Sequence, residues 1–188
     1  WRDWSSDVCS SDLPKGVLWR QGDFVEAALG IARPPEELAA AAPRSTLRAL
    51  PAAPFMHGAA HWNALSAWLG GGTVVVQDRP ATLDAPDVWS TCERERVTAL
   101  QIVGDAFARP LLEELGRRDY DLSALRFLLS GGAVLSPGNK AAFLDRLSGL
   151  TIVDVLGSSE SGRQAVRNVR RDDQDQAGTF QAGPHARL

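Results

Sequence analysis

Cysteine is almost missing from this chain: its 188 residues hold two, Cys9 and Cys92, and Cys9 falls in an atypical leader. One cysteine in the remaining sequence supports no disulfide framework and fits a reducing, cytoplasmic setting. An excess of positive charge is missing too. Lys and Arg number 20 against 23 Asp and Glu, a net charge of −3. That argues against nucleic acid as the main partner, because such binding relies on clustered cations. The one basic cluster, Arg163 to Arg171, is answered at once by Asp172, Asp173 and Asp175 and reads as a solvated face or loop. No apolar run approaches the roughly 20 residues that cross a bilayer, so no transmembrane segment is expected. The N-terminus lacks the basic start and apolar stretch of a secretory signal. No internal repeat of fixed period is present.

What is there has the balance of a soluble globular protein, with 44% apolar and 23% charged residues. The length suffices for one sizeable core or for part of a larger one. The first thirteen residues, WRDWSSDVCSSDL, differ from the rest: they are rich in Trp, Ser and Asp, and no Met starts them. They resemble a translated sequencing adapter joined to a gene fragment. The expectation is an artefactual leader over 1–13 and a folded region over 14–188.

From Pro14 onward, strand and helix signals alternate. A short strand-like stretch at 17–19 precedes Asp23, a plausible N-cap for a helix through FVEAALGIA. Three prolines over 33–46 predict a surface loop. LRALPAAPF (47–55), TVVVQ (73–77), VTALQIV (97–103), LRFLLS (125–130) and LTIVDVLG (150–157) predict strands. Helices are predicted over 61–70, 85–96, 105–118 with a kink at Pro110, and 136–149 with Ser136 as cap. Beyond Gly162 the pattern weakens, and GTF at 178–180 is a candidate start of another sheet. Four crossovers between fully apolar strands predict an α/β fold, a mostly parallel sheet with helices on both faces.

In such sheets ligands bind beyond the carboxyl ends of the strands. Three turns rich in Gly or Ser fall there: MHG at 56–58, SGGA at 130–133 and GSSESG at 157–162. In the last, small residues allow close backbone approach and Ser hydroxyls can donate to phosphate oxygens. Glu160 offers the hard oxygen that Mg²⁺ accepts beside phosphates. A flexible turn with an exposed Glu is the plain alternative. A serine-hydrolase elbow needs G-x-S-x-G, and Ser159 is correctly spaced from Gly157, but Ser161 stands where the second Gly belongs. At 130–133, Gly131 and Gly132 leave room for a flat ring, or else make a tight strand-to-helix turn. His57 and His61 are four apart without the Glu of a zinc helix, because position 58 is Gly. Lys15 precedes Gly16, so PKGV is no Walker A loop.

In order, PKGVLWRQ, APFMHGAAHWNAL, LSGGAVLSP and DVLGSSESG resemble successive core motifs of the adenylate-forming superfamily. The resemblance runs from Pro14 to about Leu188, and PKGVLWRQ is similar to actinobacterial fatty-acid and steroid side-chain CoA ligases. It implies part of the large N-terminal domain of such an enzyme, a partial AMP-binding domain truncated at both ends. Only the tail of the phosphate loop matches, with Lys15 as its Lys. No segment like Y-R-T-G-D, whose Asp holds the ribose, is found, and the C-terminal domain with its catalytic Lys has no counterpart.

By the resemblance, Gly131, Gly132 and Ala133 contact adenine, Ser158 and Ser159 contact phosphate, and Gly157 is a further nucleotide-binding residue. Leu156 replaces the Tyr that many members stack on adenine. Glu160 is the Mg²⁺ ligand, with Lys15 the second catalytic group, and His57 and Trp62 border the acyl site. The implied reaction joins a carboxylic acid to coenzyme A through an acyl-adenylate, consuming ATP, while the isolated chain is expected to be inactive. A serine hydrolase of α/β fold and a non-catalytic nucleotide-binding domain are the alternatives.

Overall fold

Leu50, Leu100, Leu128, Ile152 and Val169 come from five separate stretches of sequence and stand side by side in one row. The computed structural model that places them describes residues 16–173 and 180–182. The row crosses a sheet of β1 (Arg48–Pro51), β2 (Thr73–Val74), β3 (Ala99–Ile102), β4 (Phe127–Gly131), β5 (Thr151–Ser158), β6 (Gly162–Val169) and β7 (Gln181–Ala182). Its order is β2-β1-β3-β4-β5-β6-β7. The pairs from β2 to β5 are parallel, and β5–β6 and β6–β7 are antiparallel. The expected α/β fold with a mostly parallel sheet is therefore the observed one.

Helices are α1 (Gln21–Asp23), continued by a π turn over Phe24–Ala28, then α2 (Pro35–Ala41), α3 (Gly58–Leu69), α4 (Ala85–Arg94), α5 (Gly104–Leu115) and α6 (Pro137–Arg146). The Leu50–Val169 row packs with apolar residues of α4, α5 and α6 into one continuous core. Trp89 is fully buried there and its indole N–H donates to the Leu111 carbonyl at 2.9 Å, so a large ring is buried without an orphaned donor. Lys140 of α6 pairs with Asp154 of β5, their side chains only 15% and 10% exposed. Because side chains alternate across a strand, the next row, Pro51, Gln101, Leu129 and Val153, faces the opposite side. That side is covered by α3, whose contact residues are the small Ala60, Ala64 and Ala67.

Several local expectations change. Residues 17–19 form no strand, and Asp23 makes no side-chain cap. The predicted loop over 33–46 contains α2: Pro35 occupies the first turn, where a missing N–H costs nothing, and Glu36 and Glu37 favour the helix N-terminus. The strand expected over 73–77 is reduced to two residues, and Ser136 caps α6 by backbone geometry alone. α5 continues through Pro110. Past Gly162, where no strong strand was expected, the eight-residue β6 pairs with β5 at seven positions, Gln164 falling in a register shift. Its Arg-rich text hides an alternation whose inner residues include Ala165 and Val169, so Arg163 and Arg167 of the basic cluster belong to a strand rather than a loop. Of GTF, residues 178 and 179 lie outside the described residues, and the strand begins at Gln181. Among the described residues no helix is long and apolar enough to cross a membrane.

Candidate functional site

The three glycine- or serine-rich turns sit where the sheet order puts the ends of β1, β4 and β5 together. MHG leads from β1 into α3, with His57 in extended conformation at the helix start. Gly131 ends β4, and at Gly132 an added Cβ would meet nothing nearer than 3.8 Å, so that edge stays open to a ligand. GSSESG is the β5–β6 hairpin. There the Ser161 N–H donates to Ser158 Oγ at 3.3 Å, and the two hydroxyls lie 3.0 Å apart. Gly162 has φ +67°, and an added Cβ would lie 2.7 Å from the Ala27 carbonyl, so the hairpin can press against the π turn only through glycine.

Together these turns enclose a cavity of about 600 Å³. His57, Trp62, Gly131, Gly132, Gly157, Ser158 and Ser159 all line it. Residues expected at the acyl, adenine and phosphate positions, though not all of them, thus share one space. Ala133, Leu156 and Glu160 do not line it. Ala133 packs beside Gly104, and Leu156 is exposed on the strand face opposite Val155 and Gly157. Lys15 lies outside the described residues.

Glu160 borders a second, shallower depression shared with Trp19, Asp23 and Glu26. The Ser158 side chain, and then its own backbone N–H, hold the Glu160 carboxyl below the usual range against the opposing effect of desolvation. It therefore presents a stable negative charge to solvent. No group of three or more His, Cys, Asp or Glu able to hold a metal exists among the described residues.

Trp19 ties the two depressions together. Its indole N–H donates to the Ser159 carbonyl at 2.9 Å, and its ring lies 6.0 Å from Phe24 and 6.5 Å from Trp62. Phe24 and Trp62 are 5.8 Å apart, all three pairs edge to face. His61 is bound through Nδ1 to the Phe55 carbonyl and packs on Trp62, which accounts for it structurally.

Four further lining residues carry chemistry that the sequence did not single out: Asn63, Ser66, Gln101 and Arg163. Asn63 and Ser66 are three apart on α3 and share a face, a spacing visible in HWNALS. Arg163 follows GSSESG at once, but in a run of arginines nothing marks it as inward. The hairpin also excludes the hydrolase elbow, since that motif needs a strand-to-helix turn.

The family model described as AMP-binding enzyme matches residues 13–186. Medium-chain acyl-CoA ligase Mig of Mycobacterium avium is 38% identical over 93% of this chain and 33% of its own length. A medium/long-chain-fatty-acid–CoA/3-oxocholest-4-en-26-oate–CoA ligase of Mycobacterium tuberculosis H37Rv is 35% identical over 81% of the chain and 29% of its length. The chain spans about a third of the length of these curated relatives. Among solved structures, the N-terminal domain of FACL13 from Mycobacterium tuberculosis superposes with a TM-score of 0.60 at 20% identity, covering 81% of this chain and 36% of that one. At that identity the likeness concerns the fold.

Proposed function

The chain belongs to the AMP-binding enzyme family, and on that premise we propose that it is part of the large N-terminal domain of an ATP-dependent acyl-CoA ligase. The observation that carries the reading is the convergence of three turns, distant in sequence, on one cavity with glycine edges and hydroxyl donors. Both curated relatives described above are named as acyl-CoA ligases, and fatty or steroid side-chain acids are the substrates proposed here. ATP and coenzyme A are the co-substrates, and their supply, with the buried free thiol of Cys92, suits the cytoplasm.

Two displacements make up the reaction. A carboxylate oxygen attacks the α-phosphorus of ATP, the bond to the β-phosphate oxygen breaks, and pyrophosphate leaves. The thiol of coenzyme A then attacks the acyl carbon, AMP leaves, and the thiol proton passes to solvent. The nucleophiles are the substrates' own, so the chain needs no reactive Ser or Cys. Gly131 and Gly132 form the edge along which adenine lies; Ala133 follows them outside the cavity lining, and Leu156, exposed on the opposite strand face, lies off this edge. Gly157 lets phosphate approach the backbone, and Ser158 and Ser159 donate to its oxygens. Glu160, held ionised by Ser158, fits as the protein ligand of Mg²⁺. That ion, with Lys15, supplies charge neutralisation at the phosphates. His57 and Trp62 border the acyl path.

Acid-dependent exchange of pyrophosphate into ATP, measured in the full-length ligase carrying this chain, tests the reading. Exchange with medium-chain or steroid side-chain acids is expected; nucleotide binding without exchange for any carboxylic acid overturns it. His57→Ala is expected to alter acyl-chain preference more than the KM for ATP, and an unchanged acyl profile removes His57 from the acyl path.

A further inference from the structure

One end of the cavity is polar and electrically unfinished. Arg163 of β6 lines it half-buried, and its guanidinium folds over Gly30, where an added Cβ would stand 1.1 Å from Nη2. Gly30 has φ +69°, so the place is kept clear by a residue suited to that backbone. Arg163 Nη2 donates to the Leu29 carbonyl at 3.3 Å, and no carboxylate pairs with it among the described residues. The Ser66 hydroxyl donates to the same carbonyl at 2.8 Å, which brings α3 and β6 together at this point. One turn back on α3, Asn63 Oδ1 is buried without a partner. Across the cavity, Gln101 is 4% exposed; its Nε2 donates to the Ile102 carbonyl, while its Oε1 has no partner.

Burial already works against the charge on Arg163, pushing its pKa down. Seating a plain alkyl tail against this end would strip more water from the half-buried guanidinium and return no hydrogen bond. Such a group is costly to bury unpaired. A guanidinium without a carboxylate is, in contrast, a ready bidentate partner for one. Resting on the acyl-CoA ligase reading, we propose that this cavity selects acids bearing a second anionic group at their far end, dicarboxylic acids activated at one carboxylate only. Arg163 anchors the distal carboxylate, and Ser66 lies beside it on the shared Leu29 carbonyl. The same cation could instead serve an ATP phosphate on the neighbouring hairpin turn, and the experiment separates the two sources.

In the full-length ligase carrying this chain, kcat/KM is compared for dodecanoic and dodecanedioic acid in wild type, Arg163→Met and Arg163→Lys, with the KM for ATP measured in each. The diacid is expected to be preferred by the wild type. Arg163→Met should lower the diacid-to-monoacid ratio at least about tenfold, the scale of losing one charge-assisted hydrogen-bonded contact. The KM for ATP should stay constant, and Arg163→Lys should restore part of the ratio. A wild type that prefers the monoacid overturns the proposal whether or not the variants fold, while leaving the ligase reading intact. A ratio unchanged in Arg163→Met, or a raised KM for ATP with the ratio unchanged, also overturns it, the latter making Arg163 a phosphate contact. Activation of neither acid, nor of any other, removes the ligase reading itself.

Discussion

Leu128 and Leu129 are neighbours on β4, yet they face two different environments. Leu128 is fully buried among Leu100, Ile152 and the helices α4 to α6, whereas Leu129 is half-buried and lines the cavity under α3. One face of the sheet is closed by large apolar side chains such as Trp89 and Phe143. The other is closed by alanines of α3 at one end and left open at the ends of β1, β4 and β5. The difference teaches where stability and chemistry are kept apart. Dense packing on one face holds the strands in register, and that register brings His57, Gly131 and Ser158 to the same space on the other.

The strongest way to break the closed face is to strand a charge in it. Lys140→Met leaves Asp154 buried without its partner, and loss of a buried ion-pair partner costs about 3–5 kcal/mol. Chemical denaturation measures this, and a loss below 1 kcal/mol would mean that the pair behaves like a surface one. Next comes the direct contrast between faces. Leu128→Ala is expected to cost about 2–5 kcal/mol as a core deletion, and Leu129→Ala clearly less, because half-buried atoms lose less transfer energy and leave no sealed void. Equal losses in the same assay would erase the distinction drawn between the two sides.

On the open face the expected stability effects shrink and the functional ones grow. Gly162→Ala forces a side chain into a positive-φ position against the Ala27 carbonyl, at a cost of about 1–3 kcal/mol. In the full-length ligase carrying this chain, pyrophosphate exchange should fall further than the melting temperature suggests, since the hairpin carrying Ser158 and Ser159 shifts with it. Smallest in stability is Glu160→Gln, at an exposed position. Its carboxyl titrates below the usual value when folded, so its contribution is present above the unfolded Glu pKa and is lost as pH falls through the lower folded value. The variant should lack that acid-side portion of the stability profile and, in the full-length ligase carrying this chain, should need more Mg²⁺ for exchange. Wild-type Mg²⁺ dependence in the variant would exclude Glu160 as the ligand.

Periodicity and punctuation determined much of this protein. The β-branched and leucine-rich runs at 97–103, 125–130 and 150–157 could be buried only in a covered parallel sheet, and the Gly and Ser residues after β4 and β5 marked the candidate site in the sequence itself. The AMP-binding motifs were legible for the same reason, because close backbone approach to a ligand demands small residues at fixed places. Only the tertiary structure decided the rest. β6 exists because β5 offers it an antiparallel edge, a non-local gain that an Arg-rich stretch does not announce. Residues 33–46 hold a helix because the prolines fall where helix starts tolerate them. Arg163, Asn63 and Gln101 become one polar end of a cavity because β6, α3 and β3 meet there. Local sequence records what each residue prefers; which unsatisfied groups face one another depends on strand order and register, which long-range packing alone sets.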